Sequence, residues 1–418
     1  MNNFEELNKH VFVTKLAGFE HTKYIQQNQI KRKINNSDIP LVQGKNIRDG
    51  HFVNKYDWYI QKEISDKLSR SKLNKICILI PYVGSNLGEV GIFYHNEDCH
   101  LASNVAKIEL IDDYFDIEYL KYYLQSKIGQ SYLFQSKQGS AQPNITMEAI
   151  RKTKIINYDK KRQVFIAKIL KSIDKKIELN SKINNELEAM VKTIYDYWFL
   201  QFEFPNEEGK PYKSSGGKMV WNEELKREIP KGWDLCTIED ISICHDAKRI
   251  PLSNKEREQM KGDIPYYGAT GIMDYVNQYI FYGDYVLIAE DGSIMNDDGS
   301  PILQRISGKT WVNNHAHILE PIDNYSCKLL MMILKDIPVV TIKTGSIQMK
   351  INQKNLNKVK IVSVPNNLKN RINRILNDID KKILLNKKEN QELTSLRDFL
   401  LPLLMNGQVG FKEDKAEG

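Results

Sequence analysis

Glu290-Asp291 followed by Asp297-Asp298 is the segment of this chain best supplied with ligands for a divalent cation. A metal held there would suit a nuclease or another phosphoryl-transfer enzyme. The spacing lacks the ordered alternation of a calcium loop, and no lysine trails it as in many nuclease cores. A turn needs Asp, Gly and Ser for its backbone geometry alone. Cys244-His245 offers a second set of ligand types, but no matching pair follows at metal spacing. Gly308-Lys309-Thr310 ends like a phosphate loop, yet Leu303 stands where that loop requires glycine. Neither Gly-x-Gly-x-x-Gly nor Gly-x-Ser-x-Gly occurs. The zinc-deaminase signature and the Asn-Pro-Pro-aromatic segment of amino-methyltransferases are also missing. The expectation is a non-enzymatic chain with no catalytic residue, no metal site and no cofactor of its own.

What remains are paired polar turns suited to a polyanion. After the apolar run 76–83 comes Gly84-Ser85-Asn86, and after 285–290 comes Gly292-Ser293. Such turns let backbone approach a phosphate closely. Gln43-Gly44-Lys45-Asn46 in the first half is matched by Tyr267-Gly268-Ala269-Thr270 in the second. Gly-Ser-x-Gln recurs at 139–142 and 345–348, bringing Gln142 and Asn144, then Gln348 and Lys350. Amide side chains suit adenine edges; lysine suits guanine or phosphate. The candidate DNA contacts are therefore Gln43, Lys45, Asn46, Gly84, Ser85, Asn86, Gln142, Asn144, Thr270, Gly292, Ser293, Gln348 and Lys350.

These turns must be held by larger elements, and those elements repeat. Residues 169–195 and 375–401 are identical at 13 of 27 positions without a gap. The same 206-residue offset matches 7 of 17 positions between 139–155 and 345–361. Each half is expected to hold a mixed strand–helix unit followed by a long helix. The boundaries read as 1–158, helix 159–204, linker 205–229, second unit 230–366, helix 367–407 and a flexible tail 408–418. Both helices carry an apolar seam, and no Pro or Gly interrupts the first until Pro205. On it lie Ile173, Ile177, Asn180, Leu187 and Met190 or Val191 in one copy, and Ile379, Ile383, Asn386, Leu393 and Leu396 in the other. Seams about 35 residues long, roughly 50 Å, need a partner. Each is expected to find it in the other, as an antiparallel coiled coil about a pseudo-two-fold axis. Asn180 and Asn386 either fix its register or sit at its wet edge.

At 418 residues with 41% apolar and 27% charged residues, the chain has the composition of a folded, multi-domain protein. Sixty Lys and Arg against 53 Asp and Glu give a net charge of +7, compatible with nucleic acid. Five cysteines without a Cys-x-x-Cys pair suggest ordinary reduced thiols. No apolar run has the length of a membrane span or signal sequence, so a cytoplasmic location is expected.

This layout resembles the specificity subunit of type I restriction–modification systems. The resemblance rests on the repeated helices and on the closing segment Leu400-Leu401-Pro402-Leu403-Leu404-Met405-Asn406-Gly407-Gln408-Val409. Pro230-Lys231-Gly232-Trp233, Val286–Ser293 and Val312-Asn313-Asn314-His315-Ala316-His317 add to it. The first half has fainter counterparts at Ile78–Ser85 and Ala102–Ala106, and lacks the Pro-x-Gly-Trp opening. The resemblance implies an α+β fold with two target recognition domains, each reading half of a split DNA sequence. The helices would set the spacer and dock two methyltransferase subunits. Those partners would bind S-adenosylmethionine, and restriction subunits would use ATP and Mg, in a bacterial or archaeal cytoplasm. Two other readings stay open: a stand-alone nuclease using Glu290, Asp291, Asp297 or Asp298, and a helical scaffold without DNA.

Overall fold

A computed structural model describes residues 4–135, 143–345 and 349–409. The chain divides into two compact units, 1–179 with 389–418, and 180–388. Each unit therefore holds part of both long helices, and the helix ends do not mark its limits.

In the first unit, β1 (Val11–Lys15), β3 (Cys77–Pro81), β4 (Gly91–Phe93) and β6 (Val105–Leu110) form an antiparallel sheet in the order β1-β6-β3-β4. Every residue of β3 is buried, which explains its unbroken apolar run. A second small sheet contains β2 (Ile39–Val42) and β5 (Cys99–Leu101), paired in parallel through Leu41 with His100 and Val42 with Leu101. Helix α1 (Ile117–Gln125) starts where the Asp116 carboxylate accepts the Tyr119 backbone N–H.

The second unit repeats the same core order. Strands β7 (Ser242–Cys244), β12 (Ala316–Pro321), β10 (Phe281–Ala289) and β11 (Leu303–Val312) stand in the order β7-β12-β10-β11. Here the parallel pair joins the same sheet, with β8 (Lys261–Tyr267) beside β11 and β9 (Ile272–Val276) on the edge. Helix α3 (Cys327–Lys335) matches α1 and is capped by Ser326. In each unit a short N-terminal strand pairs with the last strand before a long helix: Phe4–Glu6 with Lys154–Ile156, and Leu235–Thr237 with Lys360–Val362.

Helices α2 (Lys160–Tyr195) and α4 (Asn366–Met405) run antiparallel within each unit. In the first, Asn390 Nδ2 donates to the Ile177 carbonyl at 3.4 Å, and Arg397 reaches Asp174 at 3.1 Å. In the second, Asn184 Nδ2 lies 3.5 Å from the Ile383 carbonyl, and Arg371 donates to the Pro205 carbonyl at 3.2 Å. The Asn390–Ile177 and Asn184–Ile383 contacts are the same contact with the two repeat copies exchanged. Asn386 Nδ2 also donates to Asn184 Oδ1 at 2.8 Å. Asn180 and Asn386 are each 1% exposed, which rules out the wet-edge alternative. Ile173, Ile379 and Ile383 are buried with them, while Ile177, Leu187 and Leu393 are half-buried.

Two expectations need correction. Of Met190 and Val191 it is Val191 that is buried, while Met190 is 53% exposed, and Leu396, on the seam by spacing, is 45% exposed. Two helices bury a stripe narrower than a globular core does, and Met190 and Leu396 fall on its outer margin. Residues 205–229, expected as a linker, form an ordered segment. Met219–Asn222 pairs with Arg227–Pro230 as a hairpin, and Ile229 is buried. Phe204 stacks on Tyr212 at 4.6 Å and on Trp233 at 5.0 Å, which anchors this polar stretch. Before it, α2 ends at Tyr195 and Asp196–Leu200 form a wider π-type turn.

Because Asn386 is buried, replacing it with Ala leaves the Asn184 carbonyl without its donor. The expected cost is about 2 kcal/mol, read as a lower urea midpoint with an unchanged slope. No loss of stability would mean that this bond does not hold the helices together.

Candidate nucleic-acid interface

In the first unit β2 delivers the chain into Gln43–Asn46. The Gln43 backbone N–H donates to Asn46 Oδ1 at 2.9 Å, while Asn46 Nδ2 donates to the Val53 and Lys55 carbonyls at 3.0 and 2.7 Å. Asn46 is 2% exposed. Its amide is therefore spent on shaping the segment, which removes it as a base reader. The Gly44 N–H donates to Asn104 Oδ1 at 3.1 Å. Asn86 Nδ2 donates to the Ile47 carbonyl at 2.8 Å, drawing the turn after β3 against this segment. Asn86 thus acts as a brace, and Ser85 Oγ donates to its Oδ1 at 3.0 Å. The Ile145 N–H bonds the Tyr82 carbonyl at 2.9 Å, so exposed Asn144 leads into the start of the same turn. Lys45, Gly84, Ser85 and Asn144 face solvent here, with Gln43 half-buried. Lys45 also pairs with Asp57, whose carboxylate is itself half-exposed.

The second unit repeats this corner with different residues. β8 leads into Tyr267–Thr270, where the Gly268 N–H donates to the Gly271 carbonyl at 2.8 Å. Gln304 on β11 donates from Nε2 to the Gly268 and Ala269 carbonyls, both at 2.9 Å. Thr270 is exposed at the apex. After β10, Asp291 receives His315 Nδ1 at 2.7 Å and Lys350 Nζ at 3.2 Å. Gly292, with φ of 74°, and Ser293 are exposed next to it. Lys350 is thus brought, through Asp291, to the turn that holds Gly292 and Ser293. His315, 47% exposed by its side chain, joins them unannounced; the sequence offered only its place in the Val312–His317 segment. Gln142 and Gln348 lie outside the described residues.

Beneath this surface lies a part-buried ion network. Arg249 reaches Glu290 at 2.6 Å, the Ala316 carbonyl at 2.9 Å and Asp246 at 3.3 Å. His317 meets Asp246 through Nδ1 at 2.5 Å and the Ile351 carbonyl through Nε2 at 2.9 Å. Burial opposes charge on both partners. The His317 bond and the nearby Arg249 overcome it at Asp246 and hold its carboxyl below the usual range. Asp246 in turn overcomes it at His317 and raises the imidazole above 6.5. Cys244, Asp246 and His317 have ligand atoms within 4.8 Å of one another, so they could hold a metal by type. Their bonding describes something else. Burial, followed by the Asp246 charge, pushes the Cys244 thiol up to about 12. Both His317 nitrogens face acceptors, as an imidazolium requires. Arg249 already neutralises the carboxylates that a cation would need. The network braces β10, β12 and the Glu290–Ser293 turn.

Three carboxylates of the acidic segment are engaged by protein partners. Glu290 is committed to Arg249, and Asp291 to His315 and Lys350. Asp298 Oδ1 accepts from the Ser300 backbone at 3.0 Å and from its hydroxyl at 2.5 Å, which is turn chemistry. Among the described residues, the grouping of metal-ligand types that forms contains none of Glu290, Asp291, Asp297 and Asp298.

The network sets a pH dependence. With the His317 pKa raised on folding, its stabilisation is present below about 6.5 and fades as pH rises through the folded value. The lowered Asp246 contributes above its unfolded pKa of about 3.9 and is lost on acidification below it. Asp246→Asn should lower the His317 pKa seen by NMR titration. It should cost about 2 kcal/mol near pH 6 and less near pH 9. An unmoved His317 titration would refute the pairing.

Comparison with known proteins places this geometry. The family model described as "Type I restriction modification DNA specificity domain" matches twice, over residues 10–189 and 230–395. A type I restriction enzyme MjaIX specificity subunit of Methanocaldococcus jannaschii is 26% identical over 316 residues, covering 71% of this chain and 70% of the relative. A type I restriction enzyme HindI specificity subunit of Haemophilus influenzae is 22% identical over 332 residues, 64% of this chain and 71% of the relative. A crystal structure of the type I restriction–modification system S subunit from M. genitalium superposes with a TM-score of 0.56 at 17% identity. It covers 96% of this chain and 95% of that one, and shares the fold. The repeated units, the antiparallel helices and the doubled family match are features of one family: this chain belongs to the type I restriction–modification DNA specificity subunits.

Proposed function

We propose that this chain supplies DNA sequence choice, and no catalysis, to a type I restriction–modification complex. Each unit reads one half of a bipartite target in double-stranded DNA, and the helices fix the distance between the halves. The observation that carries this reading is a shared frame with unlike corners. Both units place a polar segment after a parallel strand pair, yet Gln43–Asn46 and Tyr267–Thr270 have only their glycine in common. Exposed Lys45 and Lys350 suit phosphate or guanine contacts and predict binding that weakens with salt.

Catalysis then belongs to the partners. Two methyltransferase subunits docked on the helices bring S-adenosylmethionine and methylate adenine. Restriction subunits use ATP and Mg for translocation and cleavage. The pairing of Asp246, Glu290 and Asp291 with cationic side chains supports leaving those reactions to other chains. None of the described helices is long and apolar enough to cross a membrane, and the complex would work on cytoplasmic DNA.

Exchanging residues 230–366 for the matching domain of another specificity subunit should change one half of the methylated sequence and leave the other intact. Unaltered methylation sites would refute the assignment of readers. Inserting one heptad after Asn180, with a matched heptad after Asn386, should lengthen the unread spacer. Seven residues add about 10 Å of helix, or roughly three base pairs at 3.4 Å each. An unchanged spacer would show that the helices are not the ruler.

A further inference from the structure

We infer that Asn104 and Gln304 are positioning residues that hold the reading tips of the two units, with Lys45 and Thr270 at their apices. The inference rests on the specificity reading above and names the side chains that make each reader rigid.

The two tips occupy equivalent places. In each unit the chain leaves a strand paired in parallel with a later one, Val42 opposite Leu101 and Tyr267 opposite Val312. The residue after that later strand bonds back to the strand: Ala102 N–H to the Val42 carbonyl at 2.8 Å, and Asn313 N–H to the Tyr267 carbonyl at 3.0 Å. Each tip holds a glycine whose added Cβ would crowd a neighbouring side chain: Gly44, second after its strand, and Gly268, first after its own. A Cβ on Gly44 would meet Asn104 Nδ2 at 2.9 Å, and one on Gly268 would meet Met273 Sδ at 2.4 Å.

An amide side chain from elsewhere in the fold then fastens each tip, with opposite polarity. Asn104 Oδ1 accepts from the Gly44 N–H. Gln304 Nε2 donates to the Gly268 and Ala269 carbonyls. Both amides grip backbone and leave the apex side chains exposed. A base contact discriminates only if its donor or acceptor stays within a few tenths of an ångström of its place. A tip held by backbone alone would let a lysine or threonine find compromise positions on a wrong base. The residue types at the apices suit base edges: lysine for guanine, and threonine through hydroxyl and methyl.

The opposite polarity gives a test that simple space-filling would not pass. Asp keeps the oxygen that accepts from Gly44, whereas Glu has no N–H to offer the Gly268 and Ala269 carbonyls. The assembled methyltransferase complex is incubated with DNA carrying the full target or single-base mismatches in either half. Methylation of each is scored by sequencing, beside the thermal unfolding of each variant.

Asn104→Ala and Gln304→Glu should each raise methylation of mismatched DNA roughly tenfold relative to the full target, about the cost of one mismatch. The effect should appear in one half-site only, a different half for each variant. Asn104→Asp should keep wild-type discrimination. Thr270→Val, at an exposed position that leaves folding intact, should change base choice in the same half as Gln304→Glu. Unchanged discrimination in Gln304→Glu and Thr270→Val, or equal loss in both halves, would overturn the inference. A 230–366 exchange run in parallel separates the two levels. If the exchange moves one half-site while these variants do nothing, the positioning role fails and the specificity reading stands. If the exchange moves nothing, the specificity reading itself fails.

Discussion

The buried asparagines of the antiparallel helices are the constraint on which the rest depends. An apolar seam alone would let the helices slide by a heptad at little cost, because isoleucine packs against isoleucine in several registers. A buried amide without a partner costs about 1–3 kcal/mol, so each register that separates Asn184 from Asn386 is penalised. The Asn390–Ile177 and Asn184–Ile383 contacts impose the same alignment independently in each unit. Buried polar groups that specify register at the expense of stability are the best-attested use of such residues.

The helices also fix how each reader is mounted. Asp174 on α2 receives the Tyr122 hydroxyl at 2.6 Å, Lys121 at 3.3 Å and Arg397 of α4 at 3.1 Å, all within the first unit. Burial raises the Asp174 carboxyl, but these partners outweigh it and hold it below the usual range. Its repeat counterpart Asp380 on α4 takes Arg305 of β11 at 3.0 Å in the second unit. One conserved carboxylate per repeat thus docks a recognition unit onto its helix. The cations that answer it come from different elements, because the units have diverged while the frame has not.

Much of this was legible in the chain. The 206-residue repeat and the apolar seam gave the frame and the antiparallel pairing. The resemblance to specificity subunits supplied the functional reading. What escaped the sequence depended on contacts distant along the chain. Asn46 and Asn86 looked like base readers because amides read adenine, yet their partners are backbone groups between 7 and 39 residues away. Residues 205–229 looked like a linker because they are polar, while three aromatic rings from both of their ends and their interior hold them in place. Asp174 and Asp380 lay inside the strongest repeat without standing out, since a helical pattern does not reveal which of its polar positions faces a docked domain. His315 was one residue in a strand-like motif until the fold brought Asp291 and Lys350 to it.

The central claim is that a register-locked helical frame carries two different readers of one DNA site. Long-read mapping of adenine methylation, on DNA modified by the complex assembled with this chain, tests it most directly. The account predicts one split, asymmetric motif whose two specified halves are separated by an unread gap of fixed length. A continuous motif, a palindrome, or a gap that varies from site to site would contradict it.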